Sequence, residues 1–184
     1  MTLTHTPKLI EMGAEAVDFD LPATDGSRWD LQRARGEAGL LVAFICNHCP
    51  YVQAIKNRLG TDFAQLQALG YGVVAISSND ASRYPADGFV AMGKLATAQA
   101  WPFPYLYDES QDVAKAYGAL CTPDFFGYDS ELKLRYRGRL DAASLGPRPE
   151  HMDAELVEAM MAIARGQKPP PSQPSMGCSI KWRD

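Results

Sequence analysis

Two cysteines, Cys46 and Cys49, stand three positions apart directly after an apolar run over residues 40–45. The run predicts a buried strand and the amphipathic pattern after Cys49 predicts a helix, so the cysteines lie where that helix begins. A helix N-terminus carries partial positive charge and N–H groups without intrahelical partners, and both stabilise a thiolate. We therefore expect a redox dithiol in which Cys46 caps the helix, faces solvent and ionises readily, with Cys49 one turn further in.

The same residues allow two other interpretations, a metal site and a pair of unreactive buried thiols. Zinc sites need a second pair of ligands at regular spacing, but the remaining cysteines, Cys121 and Cys178, are single and distant. With His48 between them, Cys46 and Cys49 could instead hold a soft metal ion such as copper. The pattern favours the dithiol, which needs neither a metal nor an organic cofactor, and leaves a metal-binding module as an alternative.

Length and composition bound the class of protein. The 184 residues, 46% hydrophobic and 22% charged, predict one domain over residues 1–184 with a sizeable core. A net charge of −4 predicts no binding to nucleic acid or membranes, and no apolar run has the length of a membrane span. The first 15 residues lack the apolar segment of a secretory signal, so we expect a cytoplasmic protein, where a C-x-x-C pair is more often catalytic or metal-binding than structural.

Hydrophobic periodicity predicts the elements that position the cysteines. The chain alternates between short apolar runs, typical of strands, and amphipathic stretches, typical of helices. This order predicts an α/β sandwich whose mixed sheet is parallel in its first half and antiparallel at the end. The predicted strands cover residues 40–45, 73–76, 103–107 and 132–138, and within residues 121–129 a turn with proline leads into a further, aromatic strand. The predicted helices cover residues 52–69, 89–99, 111–117 and 156–164.

The two ends of the chain differ from this core. Asp25-Gly26 is a hairpin signal between predicted strands at 17–21 and 29–31, and residues 1–13 are expected to be irregular. We place the core at about residues 15–165. The tail, residues 166–184, is rich in proline and either docks or extends.

Three features together resemble the thioredoxin-like superfamily: Cys46-Asn47-His48-Cys49 opening a helix, Thr122-Pro123 entering a late strand, and a final hairpin and helix. Asp18-Phe19-Asp20-Leu21-Pro22 with the Asp25-Gly26 hairpin looks like its redoxin branch, the alkyl hydroperoxide reductase/thiol-specific antioxidant group. The resemblance implies a thioredoxin-like three-layer sandwich, a central mixed β-sheet flanked by helices, with an extra N-terminal hairpin and a C-terminal tail.

The resemblance also implies roles for individual residues. It implies a cis peptide at Thr122-Pro123, packed against the dithiol, where the backbone of both residues receives the extended chain of a partner. It places His48 in the position of the histidine of strongly oxidising dithiol proteins, where it stabilises the Cys46 thiolate and makes the disulfide a better oxidant. The alternatives are a trans proline at an edge strand and an exposed histidine without a role.

The turn departs from the thioredoxin pattern at two positions. Ile45 stands where thioredoxins usually have tryptophan, and Leu40 stands where they carry a buried acid. The base that would deprotonate Cys49 is therefore unassigned. Loop position makes Asp80 and Asp108 the candidates.

The function that the resemblance implies is thiol–disulfide exchange with protein or small-molecule disulfides, carried out by a monomer or weak homodimer. Cys46 would attack the substrate and Cys49 would then release it. The alternative is a thiol peroxidase, whose P-x-x-x-T-x-x-C pattern would align its reactive cysteine on Cys49. Val42 and Cys46 replace the proline and threonine of that pattern, and Arg137 or Arg139 would have to stabilise the peroxide.

Two cysteines lie outside the dithiol. Cys121 precedes Thr122, so the expected fold places it within a few residues of the site. Cys178 lies in a tail whose Ile180 and Trp182 favour docking on the body of the protein. A docked Cys178 could be a third exchange thiol or only a small buried apolar residue, and the sequence leaves both open.

Overall fold

A five-stranded mixed sheet forms the centre of this computed structural model, which describes residues 3–5 and 11–183. No helix in these ranges combines the length and the apolar character that crossing a membrane requires. The elements in chain order are β1 (Leu3–His5), β2 (Asp20–Pro22), β3 (Arg28–Asp30), α1 (Leu31–Ala34), β4 (Gly39–Phe44), α2 (Pro50–Ala68), β5 (Tyr71–Ser77), a 3-10 turn (Pro85–Asp87), α3 (Phe89–Ala98), β6 (Tyr105–Tyr107), α4 (Asp112–Tyr117), β7 (Cys121–Thr122), β8 (Asp124–Tyr128), β9 (Leu134–Gly138), α5 (Glu155–Ala164) and β10 (Met176–Ser179).

The central strand β4 explains why the apolar run before the cysteines is unbroken. The sheet order is β6-β5-β4-β8-β9, with β4 parallel to β5 and antiparallel to β8. Every residue of β4 is buried, and alternate side chains enter two separate hydrophobic cores, one on each face of the sheet. A strand covered on both faces needs apolar residues at every position, so the expected parallel half and antiparallel end of the sheet are both confirmed.

Helices cover the two faces, which gives the expected three layers. The long helix α2 lies with α3 and α5 over one face, and α1 and α4 lie over the other. Five apolar residues of α2 are buried at three- and four-residue spacing: Val52, Ile55, Leu59, Phe63 and Leu66. The helix continues without interruption through Gly60, although a glycine in a helix interior costs about 0.5–1 kcal/mol relative to alanine.

The N-terminal hairpin is present, with β2 and β3 antiparallel around Asp25-Gly26 and Gly26 at a φ of +88°. The predicted return strand ends one residue early, because Asp30 caps α1 through the N–H of Arg33. The prediction of an irregular start over residues 1–13 is wrong at Leu3–His5, which form strand β1. Residues 1–2 and 6–10, which the same prediction covers, lie outside the described residues.

The tail docks. Strand β10 runs antiparallel between β1 and β7, and the three form a second, small sheet. Cys178 of β10 is the register partner of Thr122 in β7. The approach at Gly177 is so close that a Cβ atom there would lie 2.0 Å from the carbonyl oxygen of Thr122. Only glycine lets the tail reach this depth.

Candidate active site

The two cysteines lie in the turn between β4 and α2, at the carboxyl edge of the sheet. The helix begins at Pro50, where a missing N–H costs nothing, so Cys49 is its N-cap. The prediction that Cys46 caps the helix and faces solvent is therefore wrong. Cys46 lies three residues before the cap and is 1% exposed, and Cys49 is 0% exposed.

Both sulfurs contact the same residue of the neighbouring loop. The Sγ of Cys46 lies 3.1 Å from the hydroxyl oxygen of Thr122, and the Sγ of Cys49 lies 3.1 Å from its carbonyl oxygen. The two cysteine side chains are also hydrogen-bonded to each other. The fold thus holds two thiols in contact, which is the requirement for closing a disulfide.

The shared hydrogen bond separates the pKa values of the two thiols. It is the main cause that lowers the pKa of Cys49 to about 5, with further hydrogen bonds from Cys178 and from the Val52 N–H. The same bond, together with burial and the charge of Asp87, raises the pKa of Cys46 well above its ordinary value. The expectation that Cys46 ionises first is therefore reversed, because the helix N-terminus and the donors converge on Cys49.

Asp87 organises the turn between the cysteines and is fully buried. Its Oδ1 accepts the backbone N–H groups of Asn47, at 2.7 Å, and of His48, at 3.1 Å. Its Oδ2 accepts from the His48 ring Nδ1 and from the Asn79 side-chain amide, the latter at 2.8 Å. His48 is thereby fixed with its Nδ1–H on the carboxylate, and its ring stacks on Tyr84 at 5.3 Å between centroids.

The same cluster bears on the metal-binding alternative. The Cys46 sulfur, a ring nitrogen of His48 and a carboxylate oxygen of Asp87 lie within 4.8 Å of one another. A carboxylate offers about four lone-pair sites, and the four N–H donors already fill those of Asp87. Binding an ion there would break hydrogen bonds that hold the turn, so this geometry favours a positioning role for Asp87 over a ligand role.

The acids that loop position suggested are occupied elsewhere. Asp80 accepts from Ser82, and Asp108 accepts from Ser78 and from the Ala114 N–H. Asp80 and Asp108 are therefore wrong as candidates for the site's acid. The carboxylate beside the dithiol is Asp87, which comes from the Pro-containing turn that follows the same loop.

Thr122-Pro123 adopts the expected cis peptide and packs against the dithiol. The backbone edge that the resemblance assigns to a partner is occupied by the chain's own β10, with Ser179 opposite Cys121 and Cys178 opposite Thr122. The role of Thr122 and Pro123 in holding a substrate stays a prediction. Beside Pro123 the structure contains a cavity of about 220 Å³, whose walls include Tyr51, Ile55, Pro174 and Met176.

The two arginines that a peroxidase site would need are engaged in ion pairs. Arg137 pairs with Asp124 at 3.0 Å and lies over the Phe126 ring, on the opposite face of the sheet from the dithiol. Arg139 pairs with Glu155 at 2.7 Å. Neither arginine has a contact with Cys46 or Cys49 among the interactions of the described residues.

Residues 12–137 match the AhpC/TSA family. The matched segment includes the dithiol turn, the Asp87 turn and the Thr122-Pro123 loop. The chain belongs to the AhpC/TSA family. An uncharacterized conserved protein from Geobacillus kaustophilus is 39% identical, with a TM-score of 0.93, over 100% of this chain and 97% of its own. No curated protein matches the sequence significantly.

Two more distant structures share the thioredoxin-like fold of this AhpC/TSA chain. A peroxidoxin from Mycobacterium tuberculosis is 17% identical, with a TM-score of 0.63, over 85% of this chain and 97% of its own. The thioredoxin domain of a thiol-disulfide oxidoreductase from Bacteroides vulgatus is 16% identical, with a TM-score of 0.57, over 70% and 88%. The same fold thus occurs in a peroxidoxin and in a thiol-disulfide oxidoreductase, so the fold alone does not distinguish these two activities.

Proposed function

We propose that this AhpC/TSA member is a thiol–disulfide oxidoreductase whose redox pair is Cys46 and Cys49. The observation that supports the proposal is that the two thiols share a hydrogen bond and that both sulfurs contact Thr122. Two thiols in contact can give up two electrons and two protons and form one S–S bond. That interconversion needs no group other than the substrate.

The lowered pKa of Cys49 assigns the order of steps. The Cys49 thiolate attacks one sulfur of a substrate disulfide, which forms a mixed disulfide and expels the first substrate thiolate. Cys46 then loses its proton and attacks the Cys49 sulfur, which closes the Cys46–Cys49 bridge and expels the second thiolate. The substrate gains two electrons from the dithiol and two protons, one that Cys46 lost and one from solvent, and the reverse sequence oxidises a dithiol.

His48 and Asp87 act as positioning residues in this scheme. Asp87 fixes the imidazole through Nδ1 and the turn through two backbone N–H groups. The imidazole, 21% exposed at its side chain, is then the polar group between the buried thiols and solvent. It can carry a proton to the departing substrate thiolate.

The surroundings of the dithiol support a small-molecule disulfide more directly than a folded protein. The strand edge at Thr122 is occupied by β10, so a protein segment would have to displace the tail before pairing there. The cavity of about 220 Å³ beside Pro123 has mostly apolar walls and the Arg139 side chain at its margin. We also retain a reducing compartment, the cytoplasm, as the proposed location.

The proposal is tested by titrating the dithiol against glutathione buffers and by following the reduction of a small aromatic disulfide. We expect one Cys46–Cys49 bridge and loss of turnover in Cys46→Ser and Cys49→Ser. The matched control is Cys121→Ser, a buried cysteine whose sulfur donates to the Pro123 carbonyl and which should keep activity. A wild-type protein that forms no Cys46–Cys49 bridge under oxidising buffer contradicts the proposal.

A second candidate is a thiol peroxidase. The observation that favours it is Cys49, the position that aligns with a peroxiredoxin's reactive cysteine, with its pKa lowered to about 5 at a helix N-cap. Hydrogen peroxide would then oxidise Cys49 to a sulfenic acid, and Cys46 would condense with it and release water. Peroxide consumption that survives Cys46→Ser for one turnover and fails in Cys49→Ser would establish this activity.

A further inference from the structure

The C-terminal strand β10 brings a third thiol to the dithiol. Cys178 is the register partner of Thr122, and the carbonyl oxygen of Thr122 lies 3.1 Å from the Cys49 sulfur. Cys178 is 1% exposed and belongs to the same hydrophobic core as Cys46 and Cys49. Its side chain is hydrogen-bonded to Cys49. Cys49 is thus hydrogen-bonded to two thiols, those of Cys46 and Cys178.

The tail is built to hold this position. Strand β10 is paired on both edges, with β1 and with β7. Beyond the strand, the Lys181 N–H donates to the Asn79 side chain at 2.8 Å, and the Ile180 N–H donates to the Leu120 carbonyl at 3.0 Å. Asn79 also bonds Asp87, so the tail is joined to the same network that fixes the dithiol turn. These contacts fix the position of Cys178 beside the dithiol turn.

We infer that Cys178 is a third redox thiol, and that it exchanges with the Cys46–Cys49 disulfide to form a Cys49–Cys178 disulfide. In this step Cys178 loses its proton and its thiolate attacks the Cys49 sulfur. The Cys46–Cys49 bond breaks, and Cys46 leaves as a thiolate that takes up the proton that Cys178 lost. One S–S bond replaces another, so no external oxidant or reductant takes part. The inference rests on the proposed dithiol chemistry for the first disulfide and adds to it a site for the second.

Oxidation of the dithiol removes part of what keeps the third thiol protonated, although its burial remains. In the reduced protein, burial and the neighbouring Cys49 raise the pKa of Cys178 to about 12, which keeps it a thiol. Oxidation turns Cys49 into a neutral disulfide sulfur, and the repulsion and the hydrogen bond that disfavour a Cys178 thiolate disappear. Lys181, two positions beyond the end of β10, lowers the pKa of Cys178 and remains in place.

The exchange has a structural consequence for the site. A Cys49–Cys178 bond ties β10 covalently to the first turn of α2, over the edge of β7. Cys46 is released as a thiol in the same step. Which two of the three cysteines are bonded would then determine whether the tail is held at the Thr122 edge by a disulfide or only by hydrogen bonds.

Trypsin places Cys46 and Cys49 together in one peptide, residues 36–56, and Cys178 in another, residues 166–181. Cys121 lies in a third peptide. Cys46→Ser is oxidised with diamide, alkylated and mapped without reduction. We expect the two peptides to be joined through Cys49 and Cys178, and Cys178 to lose its alkylation. Cys46→Ser/Cys121→Ser should give the same bridge, whereas Cys46→Ser/Cys178→Ser should give none. A Cys178 that remains fully alkylated in oxidised Cys46→Ser overturns the inference.

A second measurement avoids variants at the dithiol. Oxidised protein with Cys178 intact is incubated with iodoacetamide, which traps Cys46 each time the exchange releases it. We expect slow alkylation of Cys46 together with a Cys49–Cys178 bridge, and loss of both in Cys178→Ser. If the Cys46–Cys49 bridge forms but Cys46 is never trapped, the exchange is wrong and the proposed function stands. If no bridge forms in either protein, the proposed function itself fails.

Discussion

Cys49 shows how position, rather than residue type, sets the chemistry of a thiol. It is the N-cap of α2, its sulfur accepts hydrogen bonds from Cys46 and Cys178, and the Val52 N–H points at it. Cys46 has the same side chain, but it lies beside the buried carboxylate of Asp87 and donates its proton to Cys49. Cys49 is therefore the member of the pair that ionises more readily, and Cys46 is the member that keeps its proton.

The pH dependence of alkylation checks this assignment. Because the pKa of Cys49 is lowered to about 5, its thiolate is present above that pH and is lost as the pH falls through it. We expect the relative rate of Cys49 alkylation to change little between pH 8 and 6 and to be halved near about pH 5, whereas an ordinary thiol titrates near about pH 8.5. Cys46→Ala removes the main donor and should move the midpoint upward. A midpoint that stays in place in Cys46→Ala contradicts the shared hydrogen bond.

His48 gives a second prediction at this scale. Replacing it by alanine leaves the Asp87 carboxylate beside the dithiol without its imidazole partner, which disfavours the reduced, thiolate-bearing form. A loss of about 1.4 kcal/mol, the size of a hydrogen bond to a charged group, corresponds to a reduction potential lower by about 30 mV. Glutathione titration of His48→Ala measures the shift, and exposed His151→Ala is the control. Equal potentials in the two variants would show that His48 does not act on the pair.

At the scale of elements, the site depends on two segments distant in sequence that meet at Thr122. The turn before α2 supplies the thiols, and β10 covers them from the other side. Strand β10 can do so because Gly177 lets its backbone pass against the Thr122 carbonyl. The close approach at Gly177 is thus what lets this element lie against Thr122, in addition to its pairing with β1 and β7.

Gly177→Ala tests this arrangement. The added Cβ would lie 2.0 Å from a backbone oxygen, so β10 must move away from β7. If the overlap costs about 1–3 kcal/mol, the tail opens roughly 5- to 160-fold more often, and alkylation of Cys49 and Cys178 rises by that factor. The control is Gly60→Ala in α2, whose Cβ would meet only the Trp101 side chain at 3.6 Å. Unchanged alkylation in Gly177→Ala would mean that the tail does not limit access.

At the scale of the whole molecule, buried ion pairs hold the long helix to the loop that follows β9. Arg148 pairs with Asp62 of α2 and with Asp141, and Arg58 of α2 also reaches Asp141 at 3.2 Å. Asp62 and Asp141 are almost fully buried. Removing Arg148 would leave the buried Asp62 carboxylate without its cation, while Asp141 would keep only Arg58.

Arg148→Met should therefore lower the free energy of unfolding by about 3–5 kcal/mol. The exposed pair of Arg28 with Asp20 is the comparison, and Arg28→Met should cost less than about 1 kcal/mol. Urea unfolding under reducing conditions measures both. Similar unfolding midpoints for the two variants would contradict the view that the buried pairs anchor α2. A changed alkylation rate of Cys49 in Arg148→Met would show that these pairs also affect the dithiol.

The sequence by itself determined the layers and the location of the chemistry. Alternation and helical spacing are local properties, because a residue's face depends only on its position in its own element. For this reason the apolar run of β4, the buried stripe of α2 and the hairpin at Asp25-Gly26 were predictable. The C-x-x-C pair at a strand–helix turn was predictable for the same reason. The cis peptide before Pro123 was implied by the resemblance to the thioredoxin-like superfamily and not by local pattern.

Only the tertiary structure decided which thiol is ionised and what surrounds it. The pKa of a buried thiol depends on donors and charges within a few ångströms, and here these come from Asp87, Thr122 and Cys178, between 38 and 132 positions from Cys49 or Cys46 along the chain. No local pattern marks such pairs, so Asp80 and Asp108 were chosen on loop position and Asp87 was missed. The tail's place between β1 and β7 was open for the same reason, since strand pairing across the whole chain is set by which edges the folded body leaves exposed.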